Sequence, residues 1–227
     1  MPHYIEPTKV SVKSVEQLTQ DVLGIVAVKP DGIRYLPGQA VDVSINKEGW
    51  TEEARPFTFV SLEEDDTIEF NIKTYPEHHG MTEQLITLRA GDELLIGEVF
   101  GDIQYKGEGV FIAGGAGITP FIAIFKSLKK EDSVGNNKLI FANKTKADII
   151  RKDEFERLLG DNFVNILSAE LAEGYEHGYV NQDLIAKYAE PGLQYYYLCG
   201  PDPMMDTVMS ELKNLGVKPE QIIREGF

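Results

Sequence analysis

The period of the apolar pattern changes near residue 107, and this change most constrains what the chain can fold into. Before it, apolar and polar residues alternate over short runs, which is typical of half-buried β-strands. After it, short apolar runs alternate with amphipathic stretches, which is typical of right-handed βαβ units and a parallel sheet. The sequence therefore predicts two domains, over residues 1–106 and 107–227.

Turn sequences such as Pro30-Asp31-Gly32 and Ala90-Gly91-Asp92 separate the short strands of the first domain. The predicted strands cover residues 10–15, 22–28, 40–45, 57–60 and 67–72. A single short helix is predicted over 82–88. Many short strands with so little helix favour an antiparallel Greek-key β-barrel.

The second domain reads as an α/β parallel-sheet domain of the nucleotide-binding kind. Its predicted strands cover residues 110–113, 138–142, 163–167 and 195–198. Its predicted helices cover residues 120–130, 152–159, 181–188 and 203–215.

Charge and composition exclude several classes of protein. The 37 acidic and 22 basic residues give a formal net charge of −15, so nucleic acid is not an expected partner. No apolar run approaches the roughly 20 residues of a membrane-spanning helix. The one cysteine, Cys199, excludes an internal disulfide and a cysteine-only iron–sulfur site within the chain. Because no secretory signal is visible at the first residues, we expect a cytoplasmic protein, and we expect a monomer.

The segment Gly114-Gly115-Ala116-Gly117-Ile118-Thr119-Pro120 joins a buried strand to a helix. Glycines at such a turn let a ligand approach the backbone, and the helix start offers free N–H groups to an anion. Pro120 suits the first helical turn. Alone, the segment is also compatible with a tight turn that binds nothing.

Two further segments have the same ambiguity when each is taken alone. Tyr197-Leu198-Cys199-Gly200-Pro201 also lies where a strand meets a helix, the ligand-binding edge of a parallel sheet, although a lone cysteine is usually structural. Arg55-Pro56-Phe57-Thr58 combines a cation, an aromatic ring and a hydroxyl on one strand, which suits a diphosphate and a flat ring system. A barrel strand with a surface arginine would look similar.

Together and in this order, the three segments resemble the ferredoxin–NADP reductase superfamily, in particular cluster-free flavodoxin reductases and the reductase modules of bacterial oxygenases. The resemblance extends from about residue 4 to residue 227. It implies FAD in the first domain and NADH or NADPH in the second. It further implies hydride transfer from the nicotinamide to the flavin, followed by electron transfer to a separate acceptor.

The resemblance assigns roles on the flavin side. Arg55, beside Pro56, would pair with the FAD diphosphate, Phe57 would stack on the flavin, and Thr58 would hydrogen-bond the ring near N5. Since the family more often has tyrosine in place of Phe57, a hydroxyl contact to the ribityl chain is expected to be lost. Further expected FAD contacts come from Asn71, Ile72 and Lys73 and from Gly80, Met81 and Thr82.

On the nicotinamide side, the resemblance implies contacts from Gly115, Gly117, Ile118, Thr119 and Pro120 and from Cys199, Gly200 and Pro201. The Cys199 thiol would position the nicotinamide and would not act as a nucleophile. At the chain end, Glu225 would contact the reaction site and Phe227 would cover the second flavin face. We predict no metal site, because the adjacent His78 and His79 lack a third ligand. A solvent-exposed loop is the simpler interpretation of this pair; stacking of His78, His79 or Tyr75 near the FAD adenine is the alternative.

Coenzyme choice and the electron acceptor stay open at this point. The segment Ser168-Ala169-Glu170 stands where NADP-preferring relatives often have Ser-Arg, which favours NADH, whereas Lys144, Lys146, Arg151 and Lys152 could reach a 2′-phosphate. The expected acceptor is flavodoxin, ferredoxin or an oxygenase component. A free-flavin or quinone reductase and a non-catalytic FAD-binding electron-transfer subunit are the alternatives.

The charge bears on the acceptor as well. An acidic carrier would need a basic docking face. The candidates for such a face are Lys126, Lys129, Lys130, Lys144 and Lys146. A basic or neutral acceptor is the alternative.

Overall fold

The computed structural model describes residues 6–190 and 192–225, and its first half is one six-stranded antiparallel sheet. The strands are β1 (Thr8–Thr19), β2 (Val22–Val28), β3 (Ala40–Ile45), β4 (Arg55–Thr58), β5 (Thr67–Lys73) and β6 (Glu93–Phe100). Their order in the sheet is β4-β3-β6-β1-β2-β5. The predicted antiparallel barrel is therefore confirmed.

The sheet closes on itself between its two edge strands. Phe59 forms an antiparallel bridge with Phe70, and the Val60 N–H donates to the Glu69 carbonyl oxygen at 2.9 Å. Phe59 is fully buried and stacks on the Tyr35 ring at a centroid distance of 3.9 Å. Closure removes the unpaired edges that an open sheet would expose and encloses an apolar core.

The local predictions for this half need two corrections. Strand β6 was missed altogether, although Leu94 and Ile96 alternate inward along it. The helix predicted over 82–88 is a four-residue helix, α1 (Met81–Gln84), that tightens into the 3₁₀ turn Leu85–Thr87. A 3₁₀ turn commonly replaces the last helical turn where the chain must leave the helix quickly.

The second half is a parallel six-stranded sheet with helices on both faces, as predicted. The strands are β7 (Gly109–Gly114), β8 (Lys138–Asn143), β9 (Phe163–Leu167), β10 (Glu176–His177), β11 (Tyr195–Cys199) and β12 (Ile222–Arg224), in the order β10-β9-β8-β7-β11-β12. The helices are α2 (Thr119–Lys130), α3 (Lys152–Leu159), α4 (Gln182–Tyr188) and α5 (Asp202–Asn214). The short edge strands β10 and β12 were not predicted.

The central strand β7 is buried on both faces. Phe111 packs with α2 and α3 in one apolar cluster, and Ile112 packs with α4 and α5 in another. The first of these clusters also contains Val22, Val60 and Ile103, which precede residue 107. The two halves therefore share one continuous core, and the domain boundary after residue 106 stays a prediction.

Ion pairs join the two halves beside this core. Lys126 Nζ lies 3.4 Å from a Glu69 carboxylate oxygen, and Arg151 lies 3.7 Å from the same oxygen. Lys130 pairs with Glu64 at 2.5 Å. Two of the lysines considered for a basic docking face, Lys126 and Lys130, thus pair with carboxylates of the barrel, and the docking face stays a prediction.

Tyr197 fixes the segment that leads from the barrel into β7. Its hydroxyl accepts from the N–H groups of Lys106 at 2.9 Å and Gly107 at 3.1 Å, and it donates to the Gly107 carbonyl oxygen at 2.7 Å. Its ring is fully buried and stacks on Phe111 at 4.1 Å between centroids. Burial raises the pKa of Tyr197 to about 12, so the hydroxyl keeps its proton in the physiological range.

Candidate functional site

A cleft of about 580 Å³ runs along the carboxyl edge of the parallel sheet and reaches the barrel. Its walls in the second half are the ends of β7, β8, β9 and β11, where open α/β sheets bind ligands. The barrel contributes Gln20, Asp21, Val22 and Lys73. The cleft is therefore built by both halves.

The two predicted nucleotide turns pack directly against each other at this edge. A Cβ on Gly117 would lie 2.6 Å from the Cys199 carbonyl carbon and 2.7 Å from the Gly200 Cα, closer than real side chains approach. Gly115 has a φ of +52°, and a Cβ there would meet nothing within 4 Å. Gly117 is thus required for packing, whereas the backbone of Gly115 is open to the cleft.

The other residues of the first turn serve mainly to build it. Ile118 and Pro120 are buried in the core below the turn. Thr119 is 8% exposed, and its hydroxyl donates to the Ala116 carbonyl oxygen at 3.0 Å. Coenzyme contacts from this segment would therefore come from the backbone near Gly115 and Ala116, which line the cleft.

Cys199 ends β11, opposite Ala113 of β7, and its thiol is free. Burial raises the pKa of this thiol to about 12, with a smaller contribution from the negative charge of Glu225. The thiol is therefore protonated at neutral pH. A protonated thiol suits a positioning role and does not suit nucleophilic attack.

Glu225 joins the end of the chain to the segment that leaves the barrel. Its carboxylate accepts from the Asp102 N–H at 3.2 Å. Burial raises the pKa of Glu225, and the negative charge of Asp102 raises it further, while hydrogen bonds from the backbone of Asp102 and Ile103 oppose the shift. Glu225 is thus near enough for its charge to act on the Cys199 thiol, and its contact with the reaction site stays a prediction. Phe227 lies outside the described residues.

Strand register connects Thr58 to the same region. Thr58 pairs with Ala40, and Ala40 pairs in turn with Phe100 at the end of β6. A Cβ on the next residue, Gly101, would lie 3.4 Å from both the Ala40 nitrogen and a Glu225 carboxylate oxygen. Glu225 therefore lies at the same end of the sheet as Thr58, near a strand that is two places away from β4.

The remaining residues of β4 suit an aromatic cofactor at the barrel edge. Phe57 packs one side on the barrel core opposite Val41 and keeps part of its ring exposed. Arg55 is about half exposed and pairs with Glu53 at 3.1 Å. A half-exposed ring, a hydroxyl and a guanidinium on one short strand match the donor set that FAD requires.

Strand β5 places its predicted residues on two opposite faces. Ile72, like Met81 at the start of α1, is buried in the barrel core, so any cofactor contact would come from the backbone. Asn71 and Lys73 point outward between the halves. Arg151 donates to the Asn71 side-chain oxygen at 3.4 Å, and Lys73 pairs with Asp21 at 2.8 Å in the cleft wall.

The cations considered for a 2′-phosphate are mostly paired with carboxylates. Lys146 pairs with Glu170 at 3.4 Å, and its backbone N–H donates to the same carboxylate at 2.8 Å. Lys152 pairs with Glu156 at 2.6 Å. Of this group, Lys144 lines the cleft.

The histidine pair occupies an exposed loop before α1. The His78 ring stacks on Tyr75 at 5.1 Å between centroids, and His79 lies 3.3 Å from a Glu83 carboxylate oxygen. The described residues contain no cluster of three or more metal-ligating side chains. Within the same residues, every helix is too short or too polar to cross a bilayer.

Sequence reasoning missed the contribution of the barrel to the cleft. Gln20 donates to Asp148 at 3.0 Å and thereby bridges the two halves at the rim. The turn Gln20-Asp21 reads in the sequence as an ordinary hairpin turn, so it carries no local signal for this role. Tyr197 belongs to the predicted nicotinamide segment, but its hydroxyl contacts involve residues some 90 positions away, which the local pattern does not contain.

Two family models match separate parts of the chain. Residues 7–92 match the FAD-binding domain and residues 111–210 match the oxidoreductase NAD-binding domain. Fold and family models together show a chain that combines an FAD-binding part with an NAD-binding part, and the prediction of FAD with a nicotinamide coenzyme is confirmed. The pairing of these two domain families in one chain, in this order, supports the resemblance to the ferredoxin–NADP reductase superfamily.

Individual proteins resemble the chain in sequence or in fold. The reductase component of propane 2-monooxygenase from Rhodococcus jostii is 30% identical over 243 aligned positions, covering 98% of this chain. The chain spans 64% of the length of that relative. The FAD/NAD-binding domain of a Vibrio cholerae nitric oxide dioxygenase superposes with a TM-score of 0.86 at 22% identity, covering 98% of this chain and 99% of that one. A ferredoxin–NADP⁺ reductase from Neisseria gonorrhoeae with bound FAD and NADP gives 0.85 at 20% identity, covering 98% and 100%.

Proposed function

We propose that the protein is an FAD-dependent NAD(P)H oxidoreductase that passes electrons from a reduced nicotinamide coenzyme to a separate acceptor, in the first place a component of an oxygenase system. The observation that carries this proposal is that residues of the predicted flavin site and of the predicted nicotinamide site lie near one another. The nucleotide turns at Gly117 and Cys199 contact each other, the charge of Glu225 acts on the Cys199 thiol, and Glu225 lies at the same end of the sheet as Thr58.

FAD, when bound, supplies the chemistry, because its ring accepts two electrons from a nicotinamide and releases them one at a time. Arg55, Phe57 and Thr58 would hold it at the edge of the barrel. Gly115 and Ala116 would hold the coenzyme diphosphate with their backbone. The cleft walls from both halves would then orient the nicotinamide and exclude water.

Cys199 and Glu225 supply position and polarity near the reacting rings. The protonated Cys199 thiol is neutral at physiological pH, so it presents a compact, uncharged surface to the nicotinamide. Glu225 is anchored by the Asp102 N–H. Because its pKa is raised, Glu225 is the group of this pair that can take up or release a proton nearer neutral pH.

NADH is the coenzyme that this part of the proposal favours. The Glu170 carboxylate accepts from the Lys146 backbone N–H and pairs with the Lys146 side chain, so the charge of this lysine is already neutralised. A 2′-phosphate would bring about two negative charges toward a fixed carboxylate. The smaller 2′-hydroxyl of NADH meets no such repulsion.

The acceptor is proposed from chemistry and from relatives. The propane 2-monooxygenase relative is named as a reductase component, which supports an oxygenase component as the partner. Since Lys126 and Lys130 are engaged with the barrel, the net charge of −15 favours a basic or neutral acceptor over an acidic carrier. A cytoplasmic location and a monomeric state stay predictions.

Anaerobic titration of the FAD-loaded protein tests the function. We expect NADH to bleach the flavin absorbance near ~450 nm, and we expect NADPH to do so with a higher apparent dissociation constant. Protein that holds FAD and is bleached by neither coenzyme would contradict the proposal and would fit the non-catalytic subunit instead. Protein that releases FAD readily and reduces free flavin or quinone would fit the third alternative.

A further inference from the structure

Asn143, the last residue of β8, has a buried donor without a partner. The residue is 8% exposed, and its side-chain nitrogen makes no hydrogen bond with any of the described residues. Buried polar groups are almost always hydrogen-bonded, because an unmade bond costs the full desolvation of the group. We therefore expect a bound ligand to supply the hydrogen-bond acceptor for this nitrogen.

The position of Asn143 points to the cleft as the source of that partner. Ala142 pairs with Gly114, so Asn143 lies one step further along, next to the turn at Gly115. The Asn143 carbonyl oxygen accepts from the Ser168 N–H at 3.0 Å. Gly115, Asn143 and Ser168 all line the cleft, and they follow one another across the carboxyl ends of three adjacent strands.

Strand alternation sets the direction of the side chain. Asn143 shares its face of the sheet with Phe141, which packs toward α2, the twelve-residue helix that follows the glycine turn. Asn143 is itself one of the residues that line the cleft. An anion held at the glycine turn and the start of α2 would then have its neighbouring oxygens beside this amide.

We infer that Asn143 is a coenzyme-binding residue, whose side-chain amide donates a hydrogen bond to an oxygen of the ribose–diphosphate part of the nicotinamide dinucleotide. The inference rests on the proposed function, since it takes the cleft as the coenzyme site. Phosphate and ribose oxygens are the acceptors that this part of a dinucleotide offers. The bond would fix the coenzyme along the strand edge, on the side of the glycine turn away from Cys199.

A second buried asparagine provides a matched control. Asn165 of β9 is opposite Phe141, so it lies on the same face as Asn143 and is also 8% exposed. Its side-chain oxygen has no partner among the described residues, and Asn165 is not among the residues that line the cleft. A water molecule between the two amides would satisfy both of them, and it would make them equivalent in any experiment.

The experiment compares Asn143→Ala with Asn165→Ala in the full-length, FAD-loaded protein. Calorimetric titration with NAD⁺ and with ADP-ribose measures the dissociation constants directly, without turnover. We expect Asn143→Ala to weaken both ligands by about tenfold, the loss of one hydrogen bond to a charged or polar oxygen. We expect Asn165→Ala to leave both within about twofold of wild type, whatever it costs in stability.

An isosteric variant distinguishes the loss of the hydrogen bond from a folding defect. Asn143→Asp keeps the shape of the side chain but replaces the donor by a carboxylate, so it should weaken ADP-ribose by more than about tenfold while the flavin spectrum is kept. Wild-type affinity in Asn143→Asp or Asn143→Ala would overturn the inference. Equal losses in the two alanine variants would also overturn it, in favour of a shared water. A loss for NAD⁺ without a loss for ADP-ribose would place the contact elsewhere and reject the assignment.

These outcomes are separable from failure of the proposed function. Flavin bleaching by NADH in the wild-type protein tests the function alone. If NAD⁺ binds to wild type and binds more weakly to Asn143→Ala, but the wild-type flavin is not reduced, the function fails while the Asn143 contact stands. If wild type is reduced normally and Asn143→Ala binds as wild type does, the Asn143 contact fails while the function stands.

Discussion

Replacing Tyr197 by phenylalanine should destabilise the whole protein, because one hydroxyl holds the connection between its two halves. The change removes three hydrogen bonds, from Lys106 N–H, from Gly107 N–H and to the Gly107 carbonyl oxygen. The ring itself stays and keeps its stacking on Phe111. The loss is therefore confined to backbone groups left without their partner.

The size of the effect follows from the burial of these groups. A fully buried unmade hydrogen bond costs about 1–3 kcal/mol, and water can reach part of this segment, so we expect a total of about 2–4 kcal/mol. For a chain of this length, each kcal/mol lowers the melting temperature by about 2–4 °C. Tyr197→Phe should therefore melt about 5–15 °C below wild type.

Thermal unfolding followed by circular dichroism, with FAD saturating, is the assay. Tyr195→Phe is the matched control, because its ring lies 6.3 Å from that of Tyr197 and its hydroxyl makes no hydrogen bond with the described residues. We expect the control to melt within about 2 °C of wild type. Equal melting temperatures for the two variants would refute the reasoning that the Tyr197 hydroxyl fixes the connection.

Three further predictions concern Gly117, Cys199 and Glu225. Gly117→Ala should lower the rate of flavin reduction by NADH by more than about tenfold, because the added Cβ would collide with Cys199 and Gly200. Retained FAD absorbance would show that the barrel of the variant is intact. An unchanged rate would contradict the close packing of Gly117 against Cys199 and Gly200. Because the pKa of Cys199 is raised to about 12, its alkylation by iodoacetamide should stay slow and rise without a plateau up to about pH 9; a plateau near pH 8 would reveal an ordinary or activated thiol. The pKa of Glu225 is raised in the folded protein, so this residue adds stability below its unfolded pKa near 4.5, and that stability is lost as the pH rises through the folded pKa. Glu225→Gln should therefore lose less free energy of unfolding than wild type between pH 4.5 and 8, measured by denaturant titration. An equal dependence on pH in the variant and in wild type would contradict the burial of this carboxylate.

The sequence predicts the elements that its local pattern determines. Helix α3, Lys152–Leu159, and strand β9, Phe163–Leu167, begin and end where their apolar period begins and ends. Strand β12, Ile222–Arg224, has three residues, too few for a period, and exists because it pairs with β11. Its placement is a property of the assembled sheet, which a local pattern does not contain.

Site residues divide in the same way. The glycines of the nucleotide turn could be found because turn chemistry is local and the resemblance supplies the ligand. The exposure of each residue could not be found from the sequence. Ile118 and Gly115 belong to one motif, yet Ile118 is buried in the core and Gly115 is open to the cleft. The same limit applies to Lys126, whose sequence context is that of a surface lysine and whose partner, Glu69, comes from the other half of the chain.

The shared apolar cluster has a consequence for how the protein can be divided. Val22, Val60 and Ile103 pack into the cluster formed by α2 and β7, so a cut after residue 106 would leave apolar surface bare on both fragments. Each half should consequently aggregate or remain partly unfolded when it is expressed alone, and the two should recover activity when they are produced together. A chimaera that joins either half to the complementary half of a related protein would need to preserve the packing of these three residues.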